Sequence, residues 1–423
     1  MIVDFVTRTI RRILVGKEQR FIFTRKDNIT IPSLSKIDLY IHIPFCKNMC
    51  PYCPYNRIKY DKNLVGPYTR AVLNEIEQYY LRLGKIEISS IYIGGGTPTT
   101  LIDELGVILK SIREKFAIAG DICIETSPSD LSEDIIRKLK GFGVDLISIG
   151  VQSFDDEFLK ILGRNYDAAK AYSTVNLALS SNFKSVNIDL MFALPEQNIE
   201  EVVDDLNEAV KIGANQVTTY PLFTFPYSSV GRYLKIRRVK MPNIFKRRKM
   251  YEEIHNFFIQ NGYHRVSVWG FKKGSSPRYS SVTRDTYIGI GAGAGSRLPD
   301  VFYLDTFSVK DYIETALTGR LPIALTMNMT PKLRKYYWLY WRFYDTYIDR
   351  QSYYEIFGEN IRLKAIFCIA KLLGLSKENQ NQIELTERGA FYIHLLQNYF
   401  VLNYIDKVWS VAMKEPWPDK IEI

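Results

Sequence analysis

Apolar residues recur along this chain with two different periods, and the two periods alternate. Between residue 36 and about residue 222, short apolar runs, often β-branched, stand at 38–43, 89–93, 122–125, 146–149, 186–190 and 216–220. Such runs predict strands. Between them apolar positions return every three or four residues, as over 67–83, 102–116 and 199–212, which predicts helices. Strand–helix units repeated in this way predict an α/β fold, a parallel sheet with helices on one side. Six units do not fill the eight of a complete barrel. The pattern therefore predicts a partial (β/α)6 barrel, open at one side, with its chemistry at the carboxyl ends of the strands.

Beyond the sixth unit the pattern predicts a helix at 243–262, a strand at 264–269 and a glycine-rich stretch at 289–295. After about residue 326 the composition shifts. Residues 332–354 are aromatic and basic, with Tyr336, Tyr337, Trp338, Tyr340, Trp341, Phe343 and Tyr344. Helical patterns run on to Leu373, then a short β-type run at 383–386 and a last helix. They predict a small, mostly helical, winged-helix-like C-terminal domain. At the other end, Val3, Val6, Ile10, Ile13 and Leu14 share one face of a helical pattern over 2–15, with Arg8, Arg11 and Arg12 opposite. A basic amphipathic helix of this kind lies in a membrane interface or packs on its own domain. The expected organisation is a basic N-terminal segment (1–35), a partial-barrel domain with an extension (36–325) and a helical C-terminal domain (326–423).

Composition narrows this picture only a little. A chain of 423 residues, 46% hydrophobic and 24% charged, suits one large globular domain with a smaller one. No run of about 18 apolar residues marks a transmembrane helix, and the first residues lack the pattern of a signal peptide. The expected location is cytoplasmic, at the membrane surface if segment 2–15 engages lipid. A net charge of +10 favours an anionic partner, without choosing among lipid, nucleic acid and carboxylated substrate. Residues 332–342 interleave basic and aromatic side chains, which can stack bases, but nucleic acid is not the favoured partner.

The chemistry sits in the cysteines. Of five, Cys46, Cys50 and Cys53 fall within eight residues, directly after the first predicted strand. Cys123 and Cys368 stand alone in apolar runs and read as small buried hydrophobes. An uneven, clustered set in this context is a metal site rather than a disulfide framework. Thiolates suit zinc or an iron–sulfur centre. A structural zinc site closes with four ligands, and no fourth stands nearby. His42 shares the face of Tyr40 on the strand.

Cysteines at this C-x3-C-x2-C spacing, with aromatic Tyr52 before the third, resemble the signature of the radical S-adenosylmethionine (SAM) superfamily. The resemblance implies a 4Fe–4S cluster on Cys46, Cys50 and Cys53. Its open iron takes the amino and carboxylate groups of SAM, and one electron then yields a 5′-deoxyadenosyl radical. A reductant such as flavodoxin or ferredoxin is implied with it. The glycine turn Gly94, Gly95, Gly96, Thr97 follows the second strand, where backbone can approach a ligand closely. Glu125, Gln152, Arg164 and Asp189 stand in or just after the third to fifth strands, where polar groups are costly unless paired. Such residues converge on one mouth.

Five motifs together resemble the oxygen-independent coproporphyrinogen III oxidase family: residues 40–46 (YIHIPFC), 94–99 (GGGTPT), 150–154 (GVQSF), 187–190 (NIDL) and 289–294 (GIGAGA). The likeness covers roughly residues 36–325. It implies SAM contacts from Tyr40, Tyr52, Gly95, Gly96, Thr97, Glu125, Gln152, Arg164 and Asp189, with Glu125 on a ribose and Arg164 on a carboxylate. Several members bind a second SAM. The family holds the oxidase itself, haem chaperones, haem-utilisation enzymes and class C methyltransferases. This chain departs from the oxidase at Tyr55, where the oxidase has a further cysteine, and lacks its N-terminal arm. It departs from the chaperones at the end of the glycine-rich stretch, where they usually carry a histidine and this chain has Gly295 or Ser296. These departures point to a less characterised branch. The leading expectation is class C-type methyl or methylene transfer to an apolar or lipid-like substrate. Two alternatives stand beside it. One is decarboxylation or haem breakdown, with Arg278, Arg284 and Arg297 on propionates. The other is a non-catalytic haem carrier drawing on a histidine among His42, His255, His264 and His394.

Overall fold

The computed structural model describes residues 8, 9, 12, 20–26, 29–223, 241–280 and 285–423. Six parallel strands form its centre: β1 (Lys36–Ile43), β2 (Glu87–Gly95), β3 (Ile122–Thr126), β4 (Leu146–Gln152), β5 (Ser185–Phe192) and β6 (Gln216–Pro221). They lie side by side in sequence order. The crossovers are α1 (Lys62–Leu83), α2 (Ile102–Lys115), α3 (Glu133–Gly141), α4 (Ala168–Leu179) and α5 (Ile199–Ile212). The predicted strands and crossover helices are all present, several extended by a few residues.

Local sequence sets these elements. Asn198 caps α5 in a capping box with Glu201, and Gly213 ends it in the left-handed conformation (φ 81°), which glycine adopts without a Cβ penalty. Along the strands Ile41, Ile93, Ile124, Ile147, Ile149 and Ile188 alternate with the polar site residues and are sealed in one apolar core. Each such side chain stabilises the fold by roughly 2 kcal/mol through burial.

The sheet does not close into a barrel. Beyond β6 it turns antiparallel, into β8 (Gly270–Lys273) and β7 (Tyr263–Arg265), which follow helix α6 (Ile244–Gln260). Beyond β1 it continues through β9 (Tyr287–Ile290), parallel to β1, and then antiparallel through β10 (Gly295–Leu298), β11 (Val301–Asp305) and β12 (Ile323–Asn328). The single strand predicted at 264–269 is thus corrected. The Val266 N–H donates to the Gly270 carbonyl at 2.8 Å and the Gly270 N–H to Ser267 Oγ at 2.9 Å. That bend turns the chain back as β8.

Past β12 the chain is mainly helical: α7 (Val309–Leu317) lies before it, and α8 (Pro331–Asp345), α9 (Arg350–Phe357), α10 (Ile361–Leu372) and α11 (Glu387–Phe400) follow. A three-stranded antiparallel sheet of Tyr347–Asp349, Gln382–Leu385 and Ser376–Glu378 accompanies them. This region packs on the open side of the central sheet. The Val268 N–H donates to the Tyr344 carbonyl at 2.9 Å. Arg278 pairs with Asp345 at 2.5 Å and Arg248 with Glu387 at 2.7 Å. The final strand, Lys420–Glu422, returns to the main sheet beside Ile22–Thr24, which itself pairs with β12. Phe21, Phe23, Leu304, Leu325, Tyr404, Val408 and Ile421 share the apolar cluster beneath them.

Cys123 is buried as expected, but Cys368 is exposed. Only Leu363 and Phe367 of α10 are buried, and its remaining apolar side chains, Ile366 and Ile369 among them, face outward. Segment 2–15 lies largely outside the described residues, as does Arg284. Among the described residues no helix is long and apolar enough to cross a membrane.

Candidate active site

β1 ends in Ile43, and the chain passes through Pro44 and Phe45 into Cys46. Backbone bonds fix this exit. The Gly96 N–H donates to the Ile43 carbonyl and the Thr97 N–H to the Phe45 carbonyl, both at 2.8 Å. The loop returns through Ile58 N–H to Pro44 and Tyr60 N–H to Cys46. Its middle is held from three sides. Asn48 donates to the Gly163 carbonyl at 2.7 Å, and Arg57 to the Cys50 carbonyl. Asn56 donates to the carbonyls of Ala292 and Phe307, each at 2.9 Å. Asn56 in turn presents its own carbonyl to His42 Nε2 at 2.8 Å, while His42 Nδ1 meets the Tyr40 hydroxyl at 2.7 Å.

Cys46, Cys50 and Cys53 therefore share one pinned loop at the carboxyl end of β1. Cys46 and Cys50 are buried and Cys53 is half-buried. Burial pushes the Cys46 thiol up to about 11, although the Thr97 hydroxyl, 3.7 Å from Sγ, partly opposes it. The charges of Cys53 and Cys50 add to the rise. Among the described residues no three Cys, His, Asp or Glu side chains crowd closely enough to grip one ion. A four-iron cube holds its thiolates farther apart than a single zinc ion does. The donor set, three soft thiolates on one loop, suits such a cube.

The glycine turn forms the wall beside them. A Cβ on Gly96 would stand 2.7 Å from the Phe45 carbonyl oxygen and 3.0 Å from Cys46 Sγ. Gly95 has φ 116°, and its N–H donates to Glu125 Oε2 at 3.3 Å. Glu125 also accepts the Tyr92 hydroxyl, and Tyr279 donates to Tyr92 at 2.6 Å. Burial raises the Glu125 carboxyl above its ordinary range, against these two hydrogen bonds.

The remaining predicted residues line the same mouth. Gln152 ends β4 in the left-handed region (φ 73°) and accepts from the Tyr220 hydroxyl at 2.9 Å. Asp205 of α5 pins the next turn, accepting from Ser153 at 2.8 and 3.0 Å and from the Phe154 N–H at 2.5 Å. Asp189 accepts from Asn187 at 2.9 Å and Ser148 at 3.2 Å. Burial first, then the charge of Glu125, raises its carboxyl to about 7. Arg164 donates to the Tyr52 hydroxyl and lies over the rings of Tyr52 and Tyr166, at 5.6 and 5.8 Å. Its Nε is buried without an acceptor, and no carboxylate pairs with it among the described residues. A sealed, unpaired guanidinium is a seat for an anionic group of a ligand.

The structure brings to this region residues that the sequence reading had not assigned to the mouth. Tyr279 is buried, Tyr220 half-buried and Tyr55 54% exposed, and the charge of Asp189 or Glu125 reaches each of them. Tyr344 of α8 also feels Asp189 and stands near Tyr55, so the helical region reaches this mouth. His394 of α11 lies 4.7 Å from the Trp269 ring and 5.9 Å from that of Tyr344, with neither ring nitrogen hydrogen-bonded among the described residues. A tyrosine in an aromatic run carries no signal that distinguishes mouth from core, and only the crossing of α8 places Tyr344 here. Of the arginines expected on propionates, Arg278 is taken by Asp345 and Arg297 lies elsewhere.

A family model described as the radical SAM superfamily matches residues 40–209. The heme chaperone HemW of Escherichia coli K12 is 31% identical over 280 residues, which is 64% of this chain and 71% of that protein. The anaerobilin synthase of Escherichia coli O157:H7 is 25% identical over 388 residues, 89% of this chain and 87% of that one. Among solved structures, coproporphyrinogen III oxidase (HemN) from Escherichia coli superposes with a TM-score of 0.73 at 22% identity, covering 88% of this chain and 91% of its own.

Proposed function

Because this chain belongs to the radical SAM superfamily, in the family that includes HemW and the oxygen-independent coproporphyrinogen III oxidases, we propose that it is a radical SAM enzyme acting on a haem or porphyrin macrocycle. One observation carries the substrate class. The likeness to the anaerobilin synthase, whose name says that it makes a bilin, spans 89% of the chain. It thus extends through α8, which brings Tyr344 to the mouth. The methyl transfer to a lipid-like substrate that the sequence suggested, and a second SAM, gain no support from these relatives.

In this reading Cys46, Cys50 and Cys53 would hold the 4Fe–4S cluster as thiolates, and burial opposes the loss of the Cys46 proton. A bound cluster with SAM supplies a 5′-deoxyadenosyl radical when reduced by a donor such as flavodoxin or ferredoxin. The chain's own work is positioning. Gly95, Gly96 and Thr97 offer backbone on the cluster side. Tyr40, Tyr52, Gln152 and Asp189 are each fixed by a hydrogen bond before any ligand arrives, which lowers the ordering cost of binding. Glu125 is the ribose acceptor and Arg164 the carboxylate seat. The tyrosines supply flat, apolar walls for a planar ring system.

The test is anaerobic. Reconstituted protein is given SAM and dithionite, with haem, coproporphyrinogen III or cell lipid, and 5′-deoxyadenosine and S-adenosylhomocysteine are measured. Deoxyadenosine that rises with a tetrapyrrole and vanishes in Cys50→Ala supports the proposal. A rise with lipid alone, accompanied by S-adenosylhomocysteine, returns methyl transfer. A second reading, a haem carrier without turnover, is favoured by relatives that are heme chaperones at 28–31% identity. Tight haem binding with no tetrapyrrole-dependent deoxyadenosine would establish it instead.

A further inference from the structure

A cleft of about 400 Å³ opens where α8 and α9 meet β10, lined by Asp285, Arg297, Arg334, Lys335, Tyr337 and Trp338 among others. It is separate from the cysteine mouth. β9 runs parallel to β1 with Tyr287 opposite Asp38, and Arg297 stands opposite Tyr287. Arg297 is therefore level with the start of β1, whereas the cysteines leave its end.

Arg297 is only 7% exposed, and an arginine so buried is ordinarily paired. This one is not. Its Nη1 makes a long bond of 3.4 Å to the Thr286 hydroxyl, and its Nε is sealed without an acceptor. Its guanidinium stacks on the Tyr337 ring at 5.1 Å. The acids nearby are otherwise engaged: Asp285 pairs with Arg342 at 3.3 Å and Asp300 with Arg334 at 2.6 Å, while Glu355 accepts from Gln351. Lys335 adds a further cation at the rim. The cleft thus holds an unpaired fork of donors against an aromatic wall, in a volume that suits a small ligand.

We propose that this cleft is a second ligand site, taking a small molecule whose carboxylate or phosphate seats on Arg297 and whose flat part lies along Tyr337 and Trp338. Both anions present the paired oxygens that a guanidinium recognises. α8 lines this cleft with its first half and the cysteine mouth with its last turn, so a ligand here braces the helix that reaches the mouth.

Titration calorimetry of the full-length protein with benzoate, phenyl phosphate and inorganic phosphate tests the site and separates carboxylate from phosphate. Saturable binding of benzoate or phenyl phosphate is expected, tighter than that of inorganic phosphate. Arg297→Gln should weaken it about tenfold or more, with the far-ultraviolet spectrum unchanged. Lys335→Glu, at the exposed rim, should weaken it too and serves if Arg297→Gln does not fold. No saturable binding of any probe at millimolar concentration overturns the proposal. So does unaltered affinity in the variants.

Discussion

Single side chains carry much of the geometry at the mouth, and the smallest of them carry the sharpest expectations. A Cβ added at Gly96 would crowd the Phe45 carbonyl oxygen at 2.7 Å and Cys46 Sγ at 3.0 Å. Gly96→Ala should lower the iron and sulfide retained after reconstitution severalfold, measured by elemental analysis, while costing the fold about 1–3 kcal/mol. Asp189 gives a prediction in pH. Its carboxyl ordinarily titrates near 3.8 and is raised to about 7 in the fold. The folded state therefore favours the protonated form. The resulting stabilisation is complete below about pH 4 and is lost as pH rises to about 7, by at most about 4 kcal/mol. Asp205 and Glu75 are raised in the same direction, so the whole-protein slope is shared. Asp189→Asn should flatten it by that one contribution, as read from urea midpoints across pH 4–8. None of this was legible in the sequence beyond the residue type. An aspartate in an apolar strand announces a paired carboxylate, but not that Ser148 and Asn187 are its partners.

Elements were far more legible than their contacts. The helix read over 199–212 is α5 to the residue, because its cap, its apolar period and its terminal glycine agree. The six parallel strands followed from short β-branched runs alone. The strand read at 264–269 did not survive, since Ser267 and Gly270 close a bend that periodicity does not register. Also invisible was the tie between the cysteine loop and the glycine-rich turn after β9, where the Asn56 amide bonds the carbonyls of Ala292 and Phe307. The two segments are distant in sequence, and no local pattern joins them. Asn56→Ala leaves both carbonyls without this donor and should cost about 2 kcal/mol. Cluster content should fall with it, since the loop loses one of its anchors. Denaturant unfolding and iron analysis of the same preparation check both parts.

At the scale of the molecule, the α/β class and the open barrel were read from the order of elements, whereas the cover over the open side was not. The aromatic run of 332–354 reads as a small core, and some of it is, but Tyr344 belongs to the mouth. The last strand was missed because three residues carry no period. Its support is testable through the cluster beneath it, where Phe23 is 3% exposed. Phe23→Ala should cost about 3–5 kcal/mol, seen as a lower thermal midpoint, while haem-dependent deoxyadenosine formation in the surviving folded protein stays within about twofold, as expected for independent sites. The strand Ile22–Thr24 lies between β12 and Lys420–Glu422, and Phe21 and Ile423 exchange backbone bonds at 2.9 and 3.0 Å. A ribosome makes this strand before any of the six parallel strands, yet both of its neighbours emerge long after them. The nascent chain therefore completes the cysteine loop and β1 to β6 before the strands that seal this edge exist, and the edge stays unsatisfied until residues 420–422 are made.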